Sequence, residues 1–268
     1  MSAAALRERF LPRGPLDLLI QLVVLAAAYT AWRYARGAVA PSDLGPAFAH
    51  GRDLVSLERS LHSFVEVDVQ RWAVDSAWAG EVARWGYANV HFKGSCLALL
   101  VIYLGWRGSF GFVRNTVLAA MAISVLFYWL YPTAPPRFLE ELGLDGSVGV
   151  TGNDPELVRE GDPLFNPVAA VPSMHVGFAT IFGISLGLLV RPLWLKIPLF
   201  AYPLFMTYIV VATGNHYWID GLFGAIAAAL AVGVAIGLSK LNPDWAFGRD
   251  RPGRPPGRLA PQATAVTA

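Results

Sequence analysis

The stretch GNHYWIDGLFGAIAAALAVGVAIGL, residues 214–238, decides the fold. From Trp218 to Leu238 it carries one charge, Asp220, in a run that is otherwise apolar or glycine. About 20 such residues, wound as a helix, cross the hydrocarbon of a bilayer. Backbone groups in hydrocarbon have no water to bond, so the run must be helical and satisfy them internally. His216 and Asp220 at its start are the kind of ionisable groups that persist at membrane depth only with a partner or a task.

Working outward, five more apolar runs repeat this signal: Leu16 to Trp32, Gly86 to Trp106, Val117 to Tyr131, the segment from Ser173 to Val190, and Ile197 to Thr213. The chain of 268 residues is 55% hydrophobic and 15% charged, where soluble domains carry about a quarter charged residues. We therefore expect an all-α polytopic membrane protein, a six-helix transmembrane bundle. The first run follows Arg7, Arg9 and Arg13 and precedes Ala38-Val39-Ala40, as a signal peptide would. Its length and Pro41 directly after that site favour an uncleaved span. Cys96, the one cysteine, excludes an internal disulfide and reads as a packing residue.

Charge placement orients the bundle. Arg7, Arg9 and Arg13, then Arg107 and Arg114, then Arg191 and Lys196, then Lys240, Arg249, Arg251, Arg254 and Arg258 fall on one side of six spans. The positive-inside rule makes that side cytoplasmic, with both termini there. The other side holds Glu140, Glu141, Asp145, Asp154, Glu156, Glu160 and Asp162, with Arg33, Arg36 and Arg52 as exceptions. The plasma membrane is the expected location. The net charge of +2 and the scattered basic residues leave no nucleic-acid footprint. The expected organisation is a cytoplasmic N-terminus (1–14), a catalytic membrane domain (15–240) and a disordered tail (241–268) rich in Pro, Gly and Arg. Residues 132–172 form an outer loop. Over 50–75, Leu54, Leu57, Leu61 and Phe64 recur at helical spacing between Arg52, Glu58, Arg59 and Glu66. This predicts an amphipathic helix at the outer interface, or one packed on the bundle.

Three polar clusters flank spans on that outer side. Pro132-Thr-Ala-Pro-Pro-Arg137 stops a helix and leaves Arg137 near the surface, where a guanidinium can grip a phosphate or anchor to headgroups. Ser173 stands at an N-cap position with His175 in the first turn, so a helix N-terminus and an imidazole face any anion bound there. His216 and Asp220, four residues apart, share a helix face. The carboxylate can hold one ring nitrogen and leave the other as a nucleophile; a structural pair or a metal site uses the same spacing. Lys93 and His91 near the outer end of the second span can add to phosphate binding, or snorkel and pack respectively. His50 and His62 lie outside the clusters and read as solvated. Together the clusters offer a nucleophile, a general acid and an anion cradle, the parts of metal-free phosphoryl transfer.

Pro172-Ser173-x-His175, followed 41 residues after His175 by His216-x-x-x-Asp220, resembles the type-2 phosphatidic acid phosphatase superfamily. Tyr131-Pro-Thr-Ala-Pro-Pro-Arg137 with Gly214-Asn-His-Tyr217 resembles its inositolphosphotransferase branch, which contains the inositol phosphorylceramide synthases. The resemblance covers roughly residues 50–240. It implies that His216 forms a phosphohistidine, Asp220 orients it, His175 protonates the leaving oxygen, and Ser173 with neighbouring amides holds phosphate. It implies a phospholipid or lipid-phosphate substrate, no cofactor and no metal. Two departures stand out. The superfamily's Lys-x6-Arg-Pro motif meets only Arg107-x6-Arg114-Asn115, expected on the cytoplasmic side as a topology signal, so that Arg137 replaces it. The Ser-Arg pair before the nucleophile is Ile209-Val210. Simple lipid-phosphate or polyprenyl-phosphate hydrolysis is the neighbouring reading. A metal-dependent hydrolase using His175, His216 and Asp220, or an anion transporter, are alternatives of other classes.

Overall fold

The computed structural model describes residues 14–144, 148 and 164–241. The expected tail beyond 241, most of the N-terminal segment, and much of the acidic loop lie outside these residues. Among the described residues eight α-helices follow in order: α1 Gly14–Ala38, α2 Gly45–Ser60, α3 Glu66–Asp75, α4 Ala77–Gly105, α5 Arg107–Leu130, α6 Met174–Leu189, α7 Leu193–Ala212 and α8 Trp218–Leu241. Among the described residues there is no named strand. Only an isolated bridge pairs Thr133 with Ala169.

Among the described residues five helices are long and apolar enough to cross a membrane: α1, α4, α5, α7 and α8. The sixth expected span, α6, has 16 residues, roughly 24 Å of rise. Its first turn is shielded by protein: Ser173 and Met174 are buried. A helix that starts inside protein does not need the full lipid-spanning length. The exact six-span count therefore becomes five long helices and one short apolar helix.

Local chemistry sets the ends. α5 stops at Leu130 because Pro132 disfavours helix at the residue before it, and Pro135 and Pro136 prevent a restart. α7 keeps Pro198 and Pro203 inside the helix, as apolar spans tolerate when neighbours satisfy the freed carbonyls. α6, α7 and α8 pack together against α4 and α5. Small residues permit this. A Cβ on Gly183 would lie 2.5 Å from the Leu199 carbonyl oxygen, and one on Gly224 2.2 Å from that of Ser173. Close backbone approach of this kind is how spans associate where no hydrophobic effect drives them together. α1 stands off; Trp32 is its one buried residue, and Trp32 Nε1 donates to Ser124 Oγ at 3.0 Å.

The expected single amphipathic helix over 50–75 is two helices, α2 and α3, broken around His62, whose φ is +54°. Both pack across one end of the bundle. Leu54 and Val55 join Leu139, Leu142, Val171, Tyr217 and Ile219 in a buried cluster. Leu57 and Leu61 face outward, whereas Glu58 and Glu66 are wholly buried. The apolar stripe thus mis-assigned this face, because the glutamates bond backbone amides of α8 (Glu58 to Ile219, Glu66 to Trp218).

The Gly224 approach is directly testable. Gly224→Ala should lower the thermal midpoint in detergent by the equivalent of about 1–3 kcal/mol, since the Ser173 carbonyl must move. Gly237→Ala on the same helix, where a Cβ meets nothing within 4 Å, should be neutral or stabilising by up to about 1 kcal/mol. Tryptophan fluorescence melts distinguish the two.

Candidate active site

One end of the bundle gathers the C-terminus of α5 and the N-termini of α6 and α8. Three backbone bonds tie their loops: Ala134 N–H donates to Ala47 at 2.9 Å, Arg137 N–H to Gly214 at 3.0 Å, and Ser173 N–H to Asp220 at 3.1 Å. The last bond locks the start of α6 to the first turn of α8, at the point where Gly224 lets them touch.

His216 sits in the turn before α8 and is 6% exposed. Its Nδ1 lies 3.3 Å from Asp220 Oδ2, which also accepts the Tyr217 amide at 3.0 Å. Burial first, then the Arg137 charge, pulls the His216 pKa down to about 3. The ring is therefore neutral across the working pH range, the state in which nitrogen lone pairs are nucleophilic. The His175 ring stands T-shaped to it at 5.4 Å between centroids.

Arg137 lies 8% exposed beside them. Its guanidinium donates to Asn215 Oδ1 in a short bond and lies 4.4 Å over the Phe138 ring. Asn215 in turn donates to Thr213 Oγ1 at 2.8 Å, so the residue before the histidine braces the arginine. Burial lowers the guanidinium pKa to about 10, which leaves it charged at neutral pH.

Ser173 occupies the N-cap position of α6, but its side chain makes no capping bond. Its Oγ is buried without a hydrogen-bond partner, as is Asp220 Oδ1. An uncapped helix start with an unsatisfied hydroxyl is a polar cradle awaiting an acceptor.

Lys93 does not join this group. Two positions from His91 on α4, it points away, is exposed and donates to Asn89 Oδ1 at 2.6 Å. His91 does join, with its ring 4.2 Å from His175. Tyr87, one turn earlier, stacks on His175 at 4.8 Å. The sequence signal for both was the spacing of four, which puts Tyr87 and His91 on one face. His50, expected to be solvated, is half-buried. Its Nδ1 is 2.8 Å from the Pro132 carbonyl oxygen and its ring stacks on Tyr131.

Arg107 opens α5, roughly 36 Å along the helix from Tyr131, and Arg114 lies two turns further in, roughly 25 Å from it. Arg107 faces Asp17 and Tyr103, and Arg114 binds Gln21 and Asn115. These bonds pin α1 to α4 and α5. Between those helices runs a cavity of about 540 Å³. Tyr87, His91, His175 and His216 line one part of it, and Leu18, Leu25, Leu99 and Tyr103 continue it toward the far end. Cys96, expected to pack in the bundle, is exposed and lines this cavity. Among the described residues, no group of three or more His, Cys, Asp and Glu side chains is arranged to hold a metal ion.

The family model of the PAP2 superfamily matches residues 52–234. The chain belongs to the PAP2 superfamily. The match takes in α2 through most of α8 and leaves α1 outside. It makes the protein a phosphatase-like enzyme, in keeping with helices apolar enough for a membrane. No curated protein and no solved structure matches the chain.

The brace on Arg137 predicts a stability effect. Asn215→Ala removes an acceptor from a buried guanidinium and should cost about 1–3 kcal/mol in thermal unfolding. Asn89→Ala, which loses only the exposed bonds to Lys93 and to the Trp85 carbonyl, should stay within about 0.5 kcal/mol.

Proposed function

We propose that the protein is a lipid phosphotransferase or phosphatase that works through a phosphohistidine on His216. One observation carries this reading. His216, held by Asp220 and in the field of Arg137, meets His175 at the polar end of an apolar cavity that extends between α1, α4 and α5. A phosphate ester of a lipid suits such a site, with the phosphate beside the arginine and the chain in the cavity.

In the first step, His216 Nε2, the nitrogen away from Asp220, attacks phosphorus. The P–N bond forms as the P–O bond to the leaving group breaks. His175, protonated once the anionic phosphate is bound beside it, gives its proton to the departing oxygen. In the second step, water or an alcohol attacks the phosphohistidine, gives its proton to the now neutral His175, and releases His216. Asp220 stabilises the positive charge that develops on His216 during attack. Arg137, Ser173 Oγ and the first amides of α6 hold the phosphoryl oxygens. No metal takes part.

Hydrolysis and transfer share this first step and differ only in the acceptor. The branch motifs favour transfer of a phosphoinositol-like headgroup to a lipid alcohol. Their two halves adjoin: Tyr217 Oη donates to the Ala134 carbonyl at 3.1 Å, and the Arg137 amide bonds Gly214. By the charge rule, the site faces the extracytoplasmic side of the plasma membrane, with both termini in the cytoplasm.

The test is turnover of lipid phosphates and of phosphatidylinositol with a lipid alcohol, by purified protein in detergent. His216→Ala should lower turnover by at least about 10³-fold, while a chelator leaves the wild type unchanged. Free phosphate as product marks hydrolysis, and a new phosphodiester marks transfer. Turnover that survives His216→Ala overturns the phosphohistidine, and turnover abolished by chelator points to a metal-dependent hydrolase.

A further inference from the structure

The first turn of α8 has an unusual arrangement of caps. The amides that open a helix have no partner within it. Here the Trp218 amide donates to Glu66 Oε1 at 2.8 Å, and the Ile219 amide donates to Glu58 Oε1 at 3.2 Å. Both carboxylates come from the helices across the bundle end, 152 and 161 residues earlier in the chain. Both side chains are wholly buried. Glu66 Oε2 accepts a further bond from the Val65 amide at 3.0 Å, whereas Glu58 Oε2 is buried with no hydrogen-bond partner. Two acidic groups therefore meet one helix N-terminus, where the helix dipole favours negative charge.

We propose that Glu58 and Glu66 act together as positioning residues for His216, seating the first turn of α8 so that Asp220 holds the imidazole at its working angle. The proposal rests on His216 being the reacting group. The charged and titratable groups that face Glu58 are Glu66 from α3 and Asp220 from α8. Tyr217, in the turn before α8, lies in the field of the same carboxylates and of Glu141. Three carboxyl groups this close in a dry site do not all ionise. Burial, and then Glu66, raises the Glu58 pKa from 4.5 to about 9. The Ile219 amide opposes that shift. At neutral pH Glu58 is thus protonated. Its spare oxygen then carries the proton and its other oxygen accepts the Ile219 amide.

The sign of the linkage follows. A carboxyl whose pKa rises on folding binds a proton that the unfolded chain has released. The stability this contributes is fully present below pH 4.5 and is lost as pH rises through about 9. Glutamine in place of Glu58 mimics the protonated acid at every pH and removes the dependence.

The experiment compares wild type, Glu58→Gln, Glu58→Ala and Glu66→Gln as full chains in detergent. Thermal midpoint and turnover of dioctanoyl phosphatidic acid are followed from pH 4.5 to about 10, a range set by the shift of Glu58. The wild-type midpoint should fall across this window and the Glu58→Gln midpoint should fall less. Glu58→Ala should lower kcat about tenfold or more with KM little changed, the kinetic equivalent of one lost bond at the site. Glu58→Gln should restore most of that loss and hold its rate above pH 9, where the wild type declines. Glu66→Gln keeps one acceptor oxygen but sets an NH2 donor against the Trp218 or the Val65 amide, and should lower kcat in the same sense. Parallel midpoint curves for wild type and Glu58→Gln, or an unchanged kcat in Glu58→Ala, would overturn the proposal. If Glu58→Ala does not fold, the two profiles of Glu58→Gln decide. Absence of wild-type turnover would count against the phosphoryl-transfer reading and against His216 as what is positioned, while the midpoint curves still decide whether the carboxyl pair seats α8.

Discussion

The helix that carries Asp220 begins inside protein, and its opening amides must be satisfied without solvent. That constraint shapes the whole end of the bundle. Trp218 and Ile219 donate to glutamates from α3 and α2, and Asp220 accepts the amide of Ser173 on its carbonyl and that of Tyr217 on its carboxylate. An unpaired buried amide costs about 1–3 kcal/mol, so the two short helices are required where they are.

The same closure explains why several charges are tolerated at the edge of an apolar bundle. Asp220, Glu58, Glu66 and Arg137 are all almost fully buried. Each has a polar contact: Tyr217 and His216 of the preceding turn for Asp220, α8 amides for the glutamates of α2 and α3, Asn215 for Arg137. A network spread over that many segments holds its members in one geometry, and in low dielectric each bond is stronger than it would be in water. Such pre-organisation is what a site for phosphoryl transfer needs, because its contribution is placement and charge.

Away from that end, the bundle relies on small residues and on a second polar cluster. Gly183 and Gly224 allow backbones to meet, and at the opposite end Asp17, Tyr103, Arg107, Gln21 and Arg114 fasten α1. Between its two polar ends α1 makes little contact, and the cavity lies along it.

The apolar runs, the prolines after Tyr131 and the spacings Ser173-x-His175 and His216-x-x-x-Asp220 are local properties, so the sequence alone determined a helical membrane bundle and its principal polar clusters. Period and hydropathy act within one element, and they survive without knowledge of its neighbours. They failed where a partner lies far along the chain. Glu58 and Glu66 read as a solvated stripe because amphipathic pattern cannot register amides 152 and 161 residues away. Lys93 looked eligible because it is close to His91 in sequence, yet a helix turns two adjacent-but-one residues to opposite sides. The shortness of α6, the bare Ser173 hydroxyl and the place of Tyr87 and His91 against His175 were decided only by tertiary packing. The reason is physical: caps in trans, burial of charge and the meeting of rings depend on which segments share a dry space, and that is a property of the folded chain.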